Sequence, residues 1–278
     1  MTGFAPRSLL FVPATRLDML AKVARMCPDA VVADLEDAVA PGEKDEARRA
    51  VLAALAAERP GAGTVLVRIN GAGTPWHADD LAAAAGAAVD GVVLPKYEHP
   101  DQLRAVRSAL PAGARVVVGL ESVRGVADSR ALLAEGPDAA YFGAEDYIAD
   151  IGGRRTPGST EVLYARSEVC LAAHLAGAPA LDQAVVAVRD AEHFRFDAGV
   201  GRDLGYRGKI CLHPTQVAVA HDVFTPSADE VAHARDVLRA AEAGVGVVDG
   251  QMVDAAHIAM ARTVLARIGS EEDSCGSG

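Results

Sequence analysis

Several features that mark common protein classes are missing or scarce in this sequence. Its four cysteines are far apart and match no zinc-binding or redox spacing, so we expect mostly buried thiols in a reducing compartment. No apolar run approaches the length of a membrane span, and the first residues lack the basic region and apolar stretch of a signal peptide. The sequence therefore predicts a cytoplasmic protein that does not enter a membrane.

Positive charge is also scarce. The formal net charge is -11 at pH 7 and the acidic residues are dispersed, which argues against binding nucleic acid through a basic surface. An anionic ligand would need a local basic pocket. Only four lysines occur against 23 arginines, and Lys44, Lys96 and Lys209 each lie beside a predicted strand end or helix start. These three lysines are therefore candidates for specific roles.

The motifs of several large enzyme classes are absent. The sequence contains no Walker A phosphate loop, no His-Glu-x-x-His zinc motif and no Gly-x-Ser-x-Gly nucleophile elbow. A glycine-rich nucleotide fingerprint is also missing after the first predicted strand, where residues 13–16 read Pro-Ala-Thr-Arg. A doubly wound open sheet usually carries such a fingerprint, so this alternative fold is disfavoured.

What the sequence does contain is a repeated unit, an apolar segment followed by a helical pattern. The apolar segments are nearly free of polar residues until they end, which is typical of parallel strands buried on both faces. Eight such segments cover residues 8–13, 30–35, 64–70, 92–96, 115–122, 139–146, part of 178–188, and 209–214. Eight strand–helix units in 278 residues predict an α/β fold, a (β/α)8 TIM barrel with additional C-terminal helices.

The predicted barrel does not use the whole chain. We expect residues 1–222 to form the catalytic barrel and residues 223–269 to add helices that serve in oligomer formation. Residues 270–278 are polar and rich in Gly and Ser, which predicts a disordered tail.

Acidic residues cluster at the predicted strand ends, which converge on one site in a barrel. Several carboxylates with few histidines and no thiolate pair favour Mg2+, which accepts one or two carboxylates together with waters and substrate oxygens. We expect Glu121 and Asp146 to bind the metal, and Glu36 and Asp37 to hold metal-bound water. A single acid would more simply be a helix N-cap or a solvated loop residue, but acids at three strand ends together favour a metal site.

Basic side chains stand at strand ends too. Arg68 would clamp a carboxylate or stabilise an enolate oxygen, or form a structural ion pair with Glu36 or Asp37, and these roles are compatible. Lys96 is open to three roles: a Schiff-base nucleophile, an anion ligand, or a structural partner to the acids, which is favoured. His213 is expected to be a strand-terminal hydrogen-bonding residue rather than a catalytic one.

A set of motifs spread along the chain resembles those of the citrate lyase β-subunit-like proteins of the HpcH/HpaI aldolase superfamily, which includes malyl-CoA and citramalyl-CoA lyases. The motifs are collinear and lie at residues 7–13, 34–39, 67–70, 94–96, 119–122, 142–146, 208–216 and 249–254. One departure is Ala14, which stands where the family usually has Gly.

The resemblance implies a TIM barrel that binds Mg2+ and a CoA thioester. In the family, the residues matching Glu121 and Asp146 bind Mg2+, and the one matching Arg68 contacts the reacting oxygens. The residue matching Asp254 is supplied by a neighbouring subunit. The resemblance therefore implies a homo-oligomer, a trimer or hexamer, with an intersubunit active site.

The sequence thus predicts a Mg2+-dependent carbon–carbon lyase. It would act reversibly on a 3-hydroxyacyl-CoA with a distal carboxylate, of the malyl-, citramalyl- or citryl-CoA type, and release a 2-oxo acid and an acyl-CoA. Its expected catalytic residues are Arg68, Asp254, Glu36 and Asp37, and its expected substrate-binding and CoA-binding residues are Arg68, Arg7, Lys22 and Lys96. The open alternatives are a thioesterase or synthase at the same site, a CoA-independent 2-oxo acid aldolase, and a citrate lyase β-subunit that works in a carrier-protein complex.

Overall fold

The chain folds around a closed barrel of eight parallel strands, which follow one another around the barrel in sequence order. The computed structural model describes residues 4–242 and 246–268. The strands are β1 Ser8–Pro13, β2 Ala30–Asp34, β3 Thr64–Arg68, β4 Gly91–Leu94, β5 Arg115–Leu120, β6 Ala139–Phe142, β7 Ala180–Asp182 and β8 Gly208–Cys211. Because β8 pairs in parallel with β1, the barrel is closed and has no free edge. The predicted (β/α)8 barrel is confirmed.

Helices alternate with the strands. They are α1 Leu17–Leu20, α2 Lys44–Ala57, α3 His77–Ala85, α4 Pro100–Ala109, α5 Val123–Ala127, α6 Ser129–Leu133, α7 Ala144–Ile151, α8 Leu163–Ala176, α9 Ala191–Leu204, α10 Pro214–Phe224, α11 Ala228–Glu242 and α12 Ala255–Ile268. Helix α2 shows why these segments are helical, because Ala47, Val51 and Leu55 recur every four residues and form one buried face.

Alternate strand residues form the core inside the barrel. The members of this inner cluster are Leu9, Phe11, Ala30, Val32, Leu66, Val93, Val117, Ala139, Tyr141, Leu181 and Ile210. Side chains alternate between the two faces of a strand, so residues two or four places further along share the inner face. Asp34, Arg68 and Glu121 follow Val32, Leu66 and Val117 at these spacings. The fold therefore directs all three side chains into the carboxyl end of the barrel.

The structure corrects one predicted strand end that bears on the site. Strand β6 ends at Phe142, and the residues that follow begin helix α7, so Glu145 and Asp146 lie in its first helical turn. Acidic residues are favoured in the first turn because they face the positive end of the helix dipole. The two acids that were expected at the end of a strand are therefore at the start of a helix.

Two other segments differ from the prediction. The helical periodicity of residues 17–26 predicts one helix there, whereas the structure has α1 followed by a separate 3-10 turn, Val23–Met26. Helix α10 is not predicted at all, because Pro214 was assigned to the end of the last strand. Proline is tolerated at the first position of a helix, where its missing N–H has no helical partner to lose.

The described residues form two compact units, residues 4–221 and the residues from Asp222 onward. In the second unit, helices α11 and α12 pack together through Ala234, Val237 and Ala261. A short antiparallel pair, β9 Val247–Val248 and β10 Gln251–Met252, lies between them in sequence. The glycines of residues 244–250 predict a turn-rich link, and the strand pairing is not evident from the sequence.

The disordered tail predicted for residues 270–278 lies outside the described residues. Across the described ranges, no helix combines the length and the apolar character needed to cross a membrane.

A buried network of four charged side chains joins β7 and β8 to helices α8 and α9. The Arg166 guanidinium donates to Asp182 at 2.6 and 2.8 Å and to Asp197 at 3.1 Å. The Lys209 ammonium donates to the same two carboxylates at 2.7 and 2.6 Å. All four side chains are at most 5% exposed, so two positive and two negative charges balance one another out of contact with water. This network gives Lys209, one of the four lysines of the sequence, a structural role.

Replacing Arg166 with Met should destabilise the barrel strongly. The change leaves Asp182 and Asp197 with Lys209 as their one remaining partner in this network, and breaking a buried pair in this way costs roughly 3–5 kcal/mol. Thermal unfolding would show a lower Tm. The control is Arg130→Met, which removes the exposed ion pair with Glu168 and should cost less than about 1 kcal/mol. Equal effects of the two changes would contradict a stabilising role for the buried network.

Candidate active site

Arg68 is the centre of an ion-pair cluster at the carboxyl end of the barrel. Its Nε and Nη2 each donate to an oxygen of Asp34 at 2.7 Å, which is a bidentate pair between the last residues of two adjacent strands. Its Nη1 lies 2.9 Å from Glu36 and 3.4 Å from Asp37. The guanidinium also lies over the ring of Phe11, 5.0 Å from its centroid. The predicted pairing of Arg68 with Glu36 and Asp37 is present.

These contacts fix the charge of Arg68 as well as its position. Burial lowers the pKa of the guanidinium, but the hydrogen bonds to Asp34 and the charges of Asp34 and Glu36 outweigh this and hold the pKa well above its ordinary value. The side chain is 11% exposed. Arg68 is thus a nearly buried side chain with a permanent positive charge.

The loop after β2 is held by two buried groups. Asp34 accepts a hydrogen bond from the backbone N–H of Glu36 at 2.9 Å. The buried Lys44 ammonium donates to the backbone carbonyls of Leu35 and Glu36, each at 2.9 Å, and lies over the ring of Trp76. These hydrogen bonds fix the backbone of the acidic residues that follow β2. The buried Lys44 therefore has a structural role in this loop.

Lys96, which follows β4, connects acids that follow three other strands, β2, β5 and β6. Its ammonium donates to Glu36 at 2.6 Å and lies 3.7 Å from Asp37 and 3.4 Å from Asp146. Its backbone N–H donates to Glu121 at 2.7 Å. Burial lowers the pKa of Lys96, but the surrounding acids, Glu36 first, raise it above its ordinary value. The structural role that the sequence favours for Lys96 is the one this geometry supports.

The backbone of Lys96 adopts a conformation that few residues other than glycine adopt, with φ at 49°. Such a conformation costs of order 1–3 kcal/mol and clusters at functional sites. Here it lets one residue serve two acids, since its N–H reaches Glu121 while its side chain reaches Glu36.

Burial makes two acids of the cluster unusual. It raises the pKa of Glu36 to about 7, although the positive charge of Arg68 opposes the shift. It also raises the pKa of Glu121, which is 3% exposed, and the charges of Arg68 and Lys96 oppose the shift there. Close packing adds to this, because a Cβ at Gly143 would lie 2.6 Å from a carboxylate oxygen of Glu121. Nearby positive charge would relieve the cost of keeping these acids ionised.

This set of donors fits a hard divalent cation. Mg2+ is bound in proteins by one or two carboxylates and keeps several waters for substrate oxygens to replace. Glu121 and Asp146 both lie around Lys96, one at its backbone and one at its ammonium. Within residues 4–242 and 246–268, no three His, Cys, Asp or Glu side chains are grouped as metal ligands. The fit therefore rests on this pair of carboxylates.

Two residues expected to bind the acyl-CoA lie outside this cluster. Arg7 precedes β1, at the amino-terminal end of the barrel, and its guanidinium donates to Asp29 at 2.9 and 3.0 Å. Barrel enzymes bind substrates at the opposite end, so the assignment of Arg7 to the substrate site is corrected to a structural pair. Lys22 follows helix α1 and is 60% exposed, with a weak contact to Asp18 at 4.0 Å.

Asp254 lies in the second unit. It precedes helix α12 and accepts hydrogen bonds from the backbone N–H of Ala256 at 2.9 Å and from the His257 ring at 2.7 Å. The bond to His257 lowers the pKa of this exposed carboxyl. All of these contacts fall within its own unit. As for His213, its ring contacts Thr215 at 2.8 Å, as expected of a hydrogen-bonding residue at a strand end.

Two polar residues at the ends of β2 and β3 have roles that the sequence pattern does not reveal. Asp34 is the partner of Arg68, since the two residues end adjacent strands and carry opposite charges. Asn70 is buried, and its backbone and side-chain N–H groups both donate to Asp80, at 2.9 and 2.6 Å. Asp80 lies in helix α3, and nothing in the sequence pattern pairs Asn70 with that helix.

Comparison with known sequences identifies the family of the chain. The family model described as HpcH/HpaI aldolase/citrate lyase matches residues 7–214. The chain is 46% identical to a citrate lyase subunit beta-like protein of Deinococcus radiodurans, over 93% of this chain and 96% of that protein. It is 33% identical to a (3S)-malyl-CoA thioesterase of Cereibacter sphaeroides, over 94% of each chain.

A solved structure is similar over nearly the whole chain. It is the CitE protein of Mycobacterium tuberculosis in complex with magnesium, acetoacetate and coenzyme A, with a TM-score of 0.83 and 35% identity. The match covers 97% of this chain and 100% of that one. These similarities confirm the predicted relation to citrate lyase β-subunit-like proteins and the prediction of a lyase-type enzyme. The chain belongs to the HpcH/HpaI aldolase/citrate lyase family.

Proposed function

We propose that this chain is a Mg2+-dependent carbon–carbon lyase that acts reversibly on a 3-hydroxyacyl-CoA with a distal carboxylate. The observation that carries the proposal is the convergence of Arg68, Lys96 and three acids, Glu36, Glu121 and Asp146, in one connected cluster at the catalytic end of a barrel of this family. The similarity to a structure with bound magnesium and coenzyme A supports the choice of metal and substrate class.

Cleavage would break the bond between the carbon next to the thioester and the hydroxyl-bearing carbon. The electron pair of that bond forms the thioester enolate, and the hydroxyl-bearing carbon becomes the carbonyl of a 2-oxo acid as the hydroxyl proton passes to water. The enolate carbon then takes up a proton, which yields the acyl-CoA. The reverse direction is a condensation of the same two products.

The residues of the cluster would divide this work. Glu121 and Asp146 would hold Mg2+. The metal would supply positive charge to the substrate carboxylate and to the hydroxyl oxygen, which gains negative charge as it loses its proton. Arg68, kept in place by Asp34, would stabilise the same oxygen charge. Glu36 would hold water and orient Arg68, a role that Asp37 shares. Lys96 would neutralise the acids, and together with Lys22 it is proposed to contact the acyl-CoA.

We further propose that Asp254 moves the proton at the enolate carbon and that a neighbouring subunit supplies it. The hydrogen bond from His257 keeps its carboxyl ionised, as is required of the base that removes this proton in the condensation direction. The exposed apolar residues of the second unit, Met252 at 74% and Met260 at 56%, suit contact with another subunit. Residues 1–222 would then be the catalytic part and residues 223–269 the part that assembles a trimer or hexamer.

The activity can be tested with malyl-, citramalyl- and citryl-CoA in the presence of Mg2+. Mass spectrometry should detect glyoxylate, pyruvate or oxaloacetate together with the acyl-CoA, and EDTA should abolish the reaction. Release of a 2-oxo acid that persists in EDTA would contradict the metal assignment.

The shared site has its own test, in which Asp254→Asn is mixed with a variant that lacks Glu121. Each variant should be inactive alone, whereas co-assembled subunits should regain activity because about one quarter of the sites then combine an intact Glu121 with an intact neighbouring Asp254. Size measurement of the mixture would verify that the subunits assemble. Mixed oligomers without activity would contradict the intersubunit site.

A thioesterase is the second candidate, favoured by the relative named (3S)-malyl-CoA thioesterase. It would release free CoA thiol and an intact hydroxy acid in place of an acyl-CoA and a 2-oxo acid, so a thiol reagent separates the two. A Schiff-base aldolase is disfavoured, because the Lys96 amine is held protonated between carboxylates and is not a free nucleophile.

A further inference from the structure

Tyr141 differs from the other fully buried tyrosines of the chain in the state of its hydroxyl. Tyr97 and Tyr206 are also buried, and their hydroxyls donate to the backbone carbonyls of Leu132 at 3.1 Å and Arg166 at 2.7 Å. The hydroxyl of Tyr141, which is 1% exposed, makes no hydrogen bond of ordinary geometry within the described residues, although the Glu121 carboxylate lies close enough to act on it. A buried polar group without such a bond is destabilising, so its presence needs an explanation.

Two glycines bring Tyr141 and Glu121 together. Tyr141 on β6 is paired in register with Gly119 on β5, and a Cβ at Gly119 would lie 2.3 Å from the Tyr141 hydroxyl oxygen. Glu121 in turn lies against Gly143, since a Cβ added at Gly143 would be 2.4 Å from the Cβ of Glu121. Each side chain therefore lies against a glycine of the neighbouring segment, Gly119 in β5 or Gly143 just after β6. Since Glu121 follows Gly119 by two residues on the same face, the phenol lies directly below the carboxylate.

Tyr141 can serve as a hydrogen-bond donor, since a phenol hydroxyl has an ordinary pKa of about 10 and stays protonated at neutral pH. The Tyr141 ring lies edge-on to the ring of Phe11, with centroids 6.3 Å apart. The Arg68 guanidinium lies over the same Phe11 ring. The Oε1 oxygen of Glu121 accepts a hydrogen bond from the backbone N–H of Lys96 at 2.7 Å.

We propose that Tyr141 is a positioning residue, whose hydroxyl donates to Glu121 in the Mg2+-bound enzyme and fixes how that carboxylate is presented to the metal. The inference rests on the proposed function, because it takes Glu121 to be a metal ligand. Hydrogen bonds to a metal-binding carboxylate orient it, and their loss typically weakens metal binding about 10- to 100-fold.

Tyr141→Phe isolates the hydroxyl, because it keeps the ring and its contact with Phe11. Isothermal titration of the purified protein with MgCl2 should show about 10-fold weaker binding in this variant. Its Tm without Mg2+ should be unchanged or higher, since the change removes a buried hydroxyl that makes no hydrogen bond of ordinary geometry. The control is Tyr206→Phe, which removes a satisfied buried hydroxyl and should lower the Tm while Mg2+ affinity stays unchanged.

A second measurement uses the unaltered protein. Mg2+ binding should change the near-ultraviolet absorption of tyrosine in the wild type, and Tyr141→Phe should lack this difference signal. Unchanged Mg2+ affinity in Tyr141→Phe, or a wild type without the difference signal, would overturn the inference. A wild type that binds no Mg2+ would overturn the metal assignment itself, which distinguishes the two failures.

Discussion

Replacing Glu121 with Gln should remove most Mg2+ binding and lower kcat/KM by roughly 10³-fold, about 4 kcal/mol of transition-state stabilisation. The change keeps the size of the side chain and an oxygen for the N–H of Lys96, but it removes a charged ligand. The protein should remain at least as stable as the wild type, because burial disfavours the charged form of this acid. Calorimetric Mg2+ titration, kinetics and thermal unfolding would test the three parts.

The control is Glu135→Gln, which makes the same chemical change at an ion pair with the exposed Arg104. Its Mg2+ affinity and kcat/KM should match the wild type. The metal assignment would fail if Glu121→Gln retained full Mg2+ affinity. A large fall in Tm with intact Mg2+ binding would instead make Glu121 a structural residue.

Replacing Arg68 with Met should damage both stability and activity. Asp34 would lose a bidentate partner in a position that is 3% exposed, which costs roughly 3–5 kcal/mol. Activity should fall by roughly 10²- to 10³-fold, because the oxygen that gains negative charge loses a fixed positive group. Thermal unfolding and kinetics with a cleavable acyl-CoA would measure the two effects.

The double variant Arg68→Met with Asp34→Asn separates these effects. The neutral Asn no longer places an uncompensated charge in the barrel, so much of the lost stability should return, while activity should stay low. Recovery of activity along with stability would show that Arg68 serves only the fold. A third variant, Arg68→Lys, should keep part of the stability but lose the bidentate geometry that the guanidinium provides.

The repeated apolar segments were enough to predict the barrel, because both faces of a parallel strand are buried and leave a continuous hydrophobic signal. The same reasoning placed Glu121 at the carboxyl end of the barrel, because a polar residue directly after a buried strand lies where barrel enzymes have their active sites. It failed for Asp146, where the signal of an acid after an apolar run is common to a strand end and a helix start. The site survived this error because both positions face the same end of the barrel.

The roles of the basic residues needed the structure. Arg68 and Asp34 are 34 residues apart, Lys96 and Glu36 are 60 apart, and Lys96 and Glu121 are 25 apart. Which acid each cation meets depends on strand register and on side-chain direction, and neither is written in local spacing. The correction of Arg7 has the same origin, since a motif shows that an arginine is present but not at which end of the barrel it lies.

The sequence by itself determined the family, the eight strand–helix units and the acids at their ends, because these follow from burial and from motifs that are local in the chain. Only the tertiary structure decided that Asp34 holds Arg68, that Lys96 serves two acids through a left-handed backbone, and that Tyr141 lies beneath Glu121. The last depends on Gly119 in β5 and Gly143 just after β6, each of which leaves space for a side chain of the neighbouring segment. Such complementarity exists only once the strands are paired in register, since it is a property of distances between segments and not of either segment alone.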